Sequence, residues 1–166
     1  MRLGSLARRC PVNIFVLDKD PEKAAKYQCD KHVIKMILET AQLLCSVFEP
    51  GQAPYKRTHY NHPSAVWTRA SRANYMWLIE HGEALCYEYT RRYNKTHKSE
   101  FVFQWCRNQS VHEILPDVGE LTPFAQAMPE QYKNPDDAVA AYRAYYKGEK
   151  ARFAVWTPPA SPPDWW

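Results

Sequence analysis

Between residues 29 and 39 the chain reads C-D-K-H-V-I-K-M-I-L-E, which gathers a thiol, two carboxylates, two amines and an imidazole into about three helical turns. Asp30, His32 and Glu39 are therefore candidates for general acid and base work at a glycosidic or phosphate bond. Lys35 stands four residues before Glu39, and an amine beside a carboxylate can attack a sugar carbon and pass through a Schiff base. The plain alternative is an i, i+4 surface pair. Cys29 and His32 also have metal-ligand spacing, and with His59-x-x-His62 they would make a four-ligand set acceptable to zinc. That set is split between a helix and a loop, so no metal or other cofactor is firmly expected. A catalytic Cys29 is less favoured still, because its neighbours are apolar and nothing obvious would lower its pKa.

These residues need rods to carry them. Asp20-Pro21-Glu22 is a strong helix start, since the carboxylate caps orphan N–H groups and proline costs no donor at the first position. The pattern predicts one helix from there to about Phe48, stopped by Glu49-Pro50-Gly51. A second is predicted from Ser64 to about Tyr93. On a helical wheel the first rod is apolar over most of its circumference, with Asp30 inside the apolar arc and His32 at its edge. Asn74 and His81, seven residues apart, fall inside the buried stripe of the second. An unpaired buried charge is costly, so Asp30 needs a cation, an N–H cluster or a ligand. Two long helices joined by the loop 51–63 can pack antiparallel, which would let Asp30 and His32 face Asn74 and His81 across a shared pocket. The competing possibility is a satisfied polar network that only fixes helix register.

Substrate contacts are expected from cations interleaved with rings, an arrangement that stacks bases and holds phosphates. Lys56, Arg57, His59 and His62 crowd the connecting loop, Arg92 opens the run R-Y-N-K-T-H-K, and a third cluster spans Arg143 to Arg152. The rest of the chain reads as one short N-terminal β-strand, Val12–Leu17, a helical piece over 99–108, an extended segment over 116–129 and a last helix from about Asn134 to Val155. The fold class is thus mainly α, a compact helical domain with one short strand and two long antiparallel helices. It divides into a disordered basic extension (1–11), a single helical domain (12–156) and a Pro/Trp-rich tail packed on the body (157–166).

Composition sets outer limits. The 166 residues suit one domain, and no apolar run approaches the roughly 20 residues of a membrane span. The net charge of +4 falls to +1 once Arg2, Arg8 and Arg9 are set aside, leaving 19 basic against 18 acidic residues. Nucleic-acid binding must then rest on local clusters and gains little from overall charge. Five cysteines without a C-x-x-C pair fit free thiols in a reducing, cytoplasmic setting.

From Val12 onward the chain resembles a family of small proteins encoded by tailed bacteriophages. The resemblance is carried by N-I-F-V-L-D at 13–18, C-D-K-H-V-I-K-M-I-L-E at 29–39, Y-K-x-T-H at 55–59, N-H-P at 61–63, N-Y-M-W-L at 74–78, R-Y-N-K-T-H-K at 92–98, L-T-P-F-A-Q-A-M-P at 121–129 and A-Y-R-A-Y-Y at 141–146. It departs in the N-terminal extension and at Asn94, where a glycine would fit the family run better. The likeness implies a glycosylase-like role in DNA-base or nucleotide metabolism, inside the host cell. Two classes of function follow. One is an enzyme on DNA bases or nucleotides, with Asp30, His32, Lys35 and Glu39 catalytic and Lys56, Arg57, His59, His62, Asn74, His81 and Arg92 on the substrate. The other is a non-catalytic binder of a nucleotide or a host protein. Oligomeric state is left open by the sequence.

Overall fold

A computed structural model describes residues 12–166; the extension 1–11, with Cys10, lies outside the described residues. Six α-helices and one short 3-10 turn follow one another: α1 (Pro21–Tyr27), α2 (Asp30–Cys45), α3 (Pro63–Arg69), α4 (Arg72–Tyr93), α5 (Glu100–Arg107), the 3-10 turn Glu130–Tyr132, and α6 (Ala138–Glu149). The mainly helical class is as the sequence predicts. No helix is long and apolar enough to cross a membrane among the described residues.

The predicted strand at Val12–Leu17 is not formed, and the described residues contain none. Its apolar run has a different cause: all six residues are buried, so the segment is enclosed by helices and needs no sheet partner. The Asn13 side-chain oxygen accepts the N–H groups of Ile14 (2.8 Å) and Phe15 (2.9 Å), and Phe15 adopts a left-handed φ of 55°. Strand alternation cannot pass through that bend.

Each predicted long helix is broken once. Gln28 and Cys29 are extended between α1 and α2, and tertiary partners take over the main-chain groups freed there. The Cys29 N–H goes to the Tyr146 hydroxyl (2.9 Å), the Asp30 N–H to the Val155 carbonyl (2.9 Å), and the Gln28 carbonyl accepts from Arg92 (2.8 Å). The second break is at Ser71, whose side chain caps α4 by accepting the Asn74 N–H (3.1 Å). Periodicity persists through both breaks because the same face stays buried, which is why the wheel alone does not reveal them. The last helix is shorter than its sequence pattern, starting after Asp137, which caps Ala140 (3.0 Å), and ending at Glu149.

α2 and α4 are antiparallel. The start of α2 meets the end of α4 through Asp30 and Arg92, while Phe48, just past α2, packs edge-on against Tyr75 near the start of α4. Asn94 ends α4 in the left-handed conformation (φ 53°), the physical reason a glycine suits that position. At Gly82 the side chain of Phe103 from α5 presses so close that a Cβ would overlap its ring. In the tail, Trp165 and Trp166 set their rings edge-on to Tyr146, at 6.4 and 6.1 Å between ring centres.

Candidate functional site

Four of the sequence-selected residues belong to buried polar networks that join helices. Asp30 accepts from Arg92 (3.1 Å) and from the Thr157 N–H (3.0 Å). Arg92 makes five bonds through its guanidinium: to the Gln28 carbonyl and Asp30 from Nη1, to the Lys26 carbonyl and Glu88 from Nη2, and to Glu88 from Nε. A guanidinium has five N–H donors, so none is left for a phosphate. The expected substrate role of Arg92 is corrected accordingly: it neutralises two buried carboxylates.

His81 is fully buried. Its Nδ1 lies 3.0 Å from the Pro21 carbonyl, which can only accept, so Nδ1 carries the proton and Nε2 accepts from Gln28 (3.3 Å). Burial lowers its pKa to about 4, consistent with a neutral ring. Asn74 donates to the Trp67 carbonyl and to Thr122 Oγ1, both at 2.7 Å, and accepts the Thr122 N–H (3.0 Å), pinning the extended 121–124 segment. No bond links Asn74 or His81 to Asp30 or His32 among the described residues. Among the described residues the four side chains therefore do not face one another across a shared pocket as expected. Gln28 instead links the Arg92 and His81 networks, its carbonyl accepting from Arg92 and its side chain meeting His81, and Asn74 stands apart with Trp67 and Thr122.

His32 behaves differently from a charged acid. Its ring stacks on Phe15 with centres 4.2 Å apart, and Nδ1 lies 2.8 Å from the Tyr146 hydroxyl. That hydroxyl also reaches Cys29 Sγ at 3.2 Å. Burial lowers the imidazole to about 3, with the ammonium groups of Lys150, Lys35 and Lys31 adding to the effect. Neutral and held, His32 can orient neighbours but not supply a proton near neutrality. Cys29 and His32 are thus engaged through Tyr146, and no three His, Cys, Asp or Glu side chains converge to hold a metal among the described residues; the zinc set Cys29, His32, His59 and His62 does not assemble.

Lys35 and Glu39 remain, one turn apart on the outer edge of α2. Lys35 Nζ is 3.9 Å from Glu39, and their side chains are 49% and 15% exposed. Burial raises the Glu39 pKa against the opposing pull of Lys35 and of the Asn13 main-chain N–H. Its Oε2 is buried with no hydrogen-bond partner. A partly enclosed carboxyl with a raised pKa, an unused oxygen and an adjacent amine is what proton transfer at a reacting centre needs.

The connecting loop supplies cations nearby in sequence but on its own footing. Arg57 donates to the Phe48 carbonyl (2.6 Å), and the guanidinium groups of Arg57 and Arg69 both lie over the Tyr60 ring, at 4.3 and 3.8 Å from its centre. Lys56 and His59 are exposed, with His59 at a left-handed φ of 52°. His62 caps α3 by accepting the Ser64 N–H (3.0 Å), and burial lowers its pKa. Two grooves of about 630 and 580 Å³ indent the surface. The larger, between α1 and α4, is lined by Asp20, Glu22, Glu80, Glu83 and Glu88 against three cations, an unfavourable balance for a polyanion. The smaller is lined in part by Arg143 and Lys147 of the third expected cation cluster; none of the candidate catalytic residues lines either groove.

The sequence reading missed Asn13 as a neighbour of Glu39 and Thr157 as a partner of Asp30. Both come from segments far away in the chain, and only the extended shape of 12–18 and 154–157 could have signalled them.

The described residues thus form a mainly helical body with an amine and carboxyl pair, Lys35 and Glu39, on one edge of α2. The chain belongs to the pyrimidine dimer DNA glycosylase family, whose pattern it matches over residues 12–101. No curated protein and no solved structure matches it. The matched segment includes the whole of α2 and therefore both Lys35 and Glu39.

Proposed function

We propose that this protein is a DNA glycosylase that breaks the glycosidic bond of damaged pyrimidines, those in pyrimidine dimers foremost, with Glu39 moving protons and Lys35 acting as the amine. The family supports a DNA substrate, and the observation that carries the reading is Glu39: raised by burial, one oxygen free, Lys35 at 3.9 Å. The Glu39 carboxylate takes a proton from the Lys35 ammonium. The freed amine attacks the sugar C1′, forming a C–N bond as the C1′–N1 bond to the pyrimidine breaks. The departing electron pair on N1 is protonated by the carboxyl of Glu39, which returns to its starting state. Loss of a further proton and ring opening give an imine that water hydrolyses, restoring the amine. His32 orients the inner side of this edge, Asp30 fixes the segment around Thr157 against α2, and Lys56 and Arg57 bear on backbone phosphates.

A single-turnover assay on a duplex with one cyclobutane pyrimidine dimer tests this. Glu39→Gln keeps the shape and removes the proton carrier, so scission of the C1′–N1 bond, read as the strand break that alkali makes at the resulting sugar, should slow by about 10²-fold to 10⁴-fold, with duplex affinity within a few-fold of the parent. Unchanged scission would remove Glu39 from the chemistry.

A further inference from the structure

We propose that Lys31, Lys150 and Arg152, gathered over Phe153, form a cradle for a phosphodiester of the DNA strand being processed; this rests on the glycosylase reading above for its ligand. The three cationic groups lie 4.7, 6.0 and 5.2 Å from the Phe153 ring centre. Lys150 is the unusual member. It is only 8% exposed, its ammonium also stands 5.7 Å from the Phe15 ring and 5.0 Å from that of Tyr145, and no ion pair among the described residues includes it.

A buried ammonium requires a counter-charge or a substitute for water. The rings of Phe15, Tyr145 and Phe153 give part of this through their electron-rich faces. The negative end of α6, which Lys150 caps, adds a partial opposite charge only. Glu149, the neighbouring carboxylate, is exposed and accepts from Tyr132 at 3.3 Å. Lys31 and Arg152 bring further positive charge to the same ring. Three like charges around one aromatic ring, with no carboxylate in an ion pair with them among the described residues, make a concentrated positive potential that an anion relieves.

Position supports a phosphodiester over a small anion. Lys31 precedes Lys35 by one turn of α2, a rise of about 6 Å, so the two amines can reach neighbouring positions on one strand. A strand whose damaged sugar sits at Lys35 would therefore present a nearby phosphate to the cradle. Lys150, Arg152 and Phe153 lie outside the family-matched residues 12–101, so the C-terminal part of the chain completes the surface that α2 begins. The Asp30 bonds to Val155 and Thr157 hold that part in place.

The test is fluorescence anisotropy of a labelled undamaged duplex, titrated with protein between about 50 and 300 mM salt. Lys31 and Arg152 are exposed, so Lys31→Gln with Arg152→Gln leaves the core untouched. The slope of log affinity against log salt should become shallower by about two, at roughly 0.9 for each phosphate no longer neutralised, with affinity at 100 mM salt reduced at least ~10-fold. Lys150→Met should remove about one more, its folding checked by circular dichroism. Lys23→Gln with Lys26→Gln, in the acidic groove, should change neither quantity. An unaltered slope in the Lys31/Arg152 double variant overturns the cradle, as does an equal drop in the Lys23/Lys26 control. A shallower slope in a protein that breaks no glycosidic bond at any lesion would sustain the cradle while defeating the proposed chemistry.

Discussion

At the scale of single residues, buried polar groups divide into those whose bonding is complete and those left with capacity. Arg92 is the fullest case, since its head joins Asp30, Glu88 and two carbonyls. Replacing it by Met would leave Asp30 enclosed without a cation, while Glu88 keeps Arg91 at 2.9 Å, and losing one partner of such a set costs about 3–5 kcal/mol. Urea unfolding of Arg92→Met should show that loss; a change under about 1 kcal/mol would mean the network is not what holds α4 to α2. The buried imidazoles make a second statement, about pH. His81 and His32 have folded values near 4 and 3, below the ordinary 6.5, so between these limits the unfolded chain binds protons that the folded chain does not. Their contribution is fully present above about pH 6.5 and is lost as pH falls toward 4, by about 2 kcal/mol each at pH 5. Glu39, raised by burial, acts in the opposite sense, since its folded form loses stability as pH rises through its own value. Denaturation midpoints at pH 7 and pH 5 should therefore drop with acid, and His81→Gln should flatten the dependence.

At the scale of elements, close approach decides which residue can stand where. Gly82 lets α5 lie against α4, with Phe103 buried in the space a Cβ would take. Alanine would gain about 1 kcal/mol in helix propensity and lose it again to overpacking, typically about 1–3 kcal/mol. Because Phe103 is enclosed and cannot swing away, the second effect should win, and Gly82→Ala should lower the Tm; a raised Tm would show that the interface yields. The sequence displayed the helical faces well. It placed Asp30 in the buried arc, Asn74 and His81 in the stripe of α4, and Lys35 with Glu39 on the polar strip. It did not display the breaks at Gln28–Cys29 and Ser71, because tertiary bonds from Tyr146, Val155 and Arg92 stabilise the first and a side-chain cap the second. The same reason explains the missing strand: six apolar or amide-bearing residues in a row mark a buried segment, and burial on all sides by helices leaves the same trace as burial in a sheet.

At the scale of the molecule, the antiparallel pair α2 and α4 is a scaffold whose facing sides are packed together, and the proposed chemistry lies on its outer edge. The polar residues that the helical wheel assigns to one pocket instead fasten its ends: Asp30 and Arg92 at one, Asn74 with the 121–124 segment along the other helix. What remains open is the edge of α2 that carries Lys35 and Glu39, bordered by the cations of the C-terminal segment. The sequence contained these residues but not their separation into inner and outer groups, since that depends on which extended segment covers which side of the helix. The most direct measurement of the central claim is borohydride trapping on a duplex containing a pyrimidine dimer, followed by peptide mapping of the adduct. The account predicts a covalent protein–DNA product attached at Lys35, lost in Lys35→Ala and much reduced in Glu39→Gln. A product attached to any other amine, or efficient glycosidic scission with no trappable product, would contradict it.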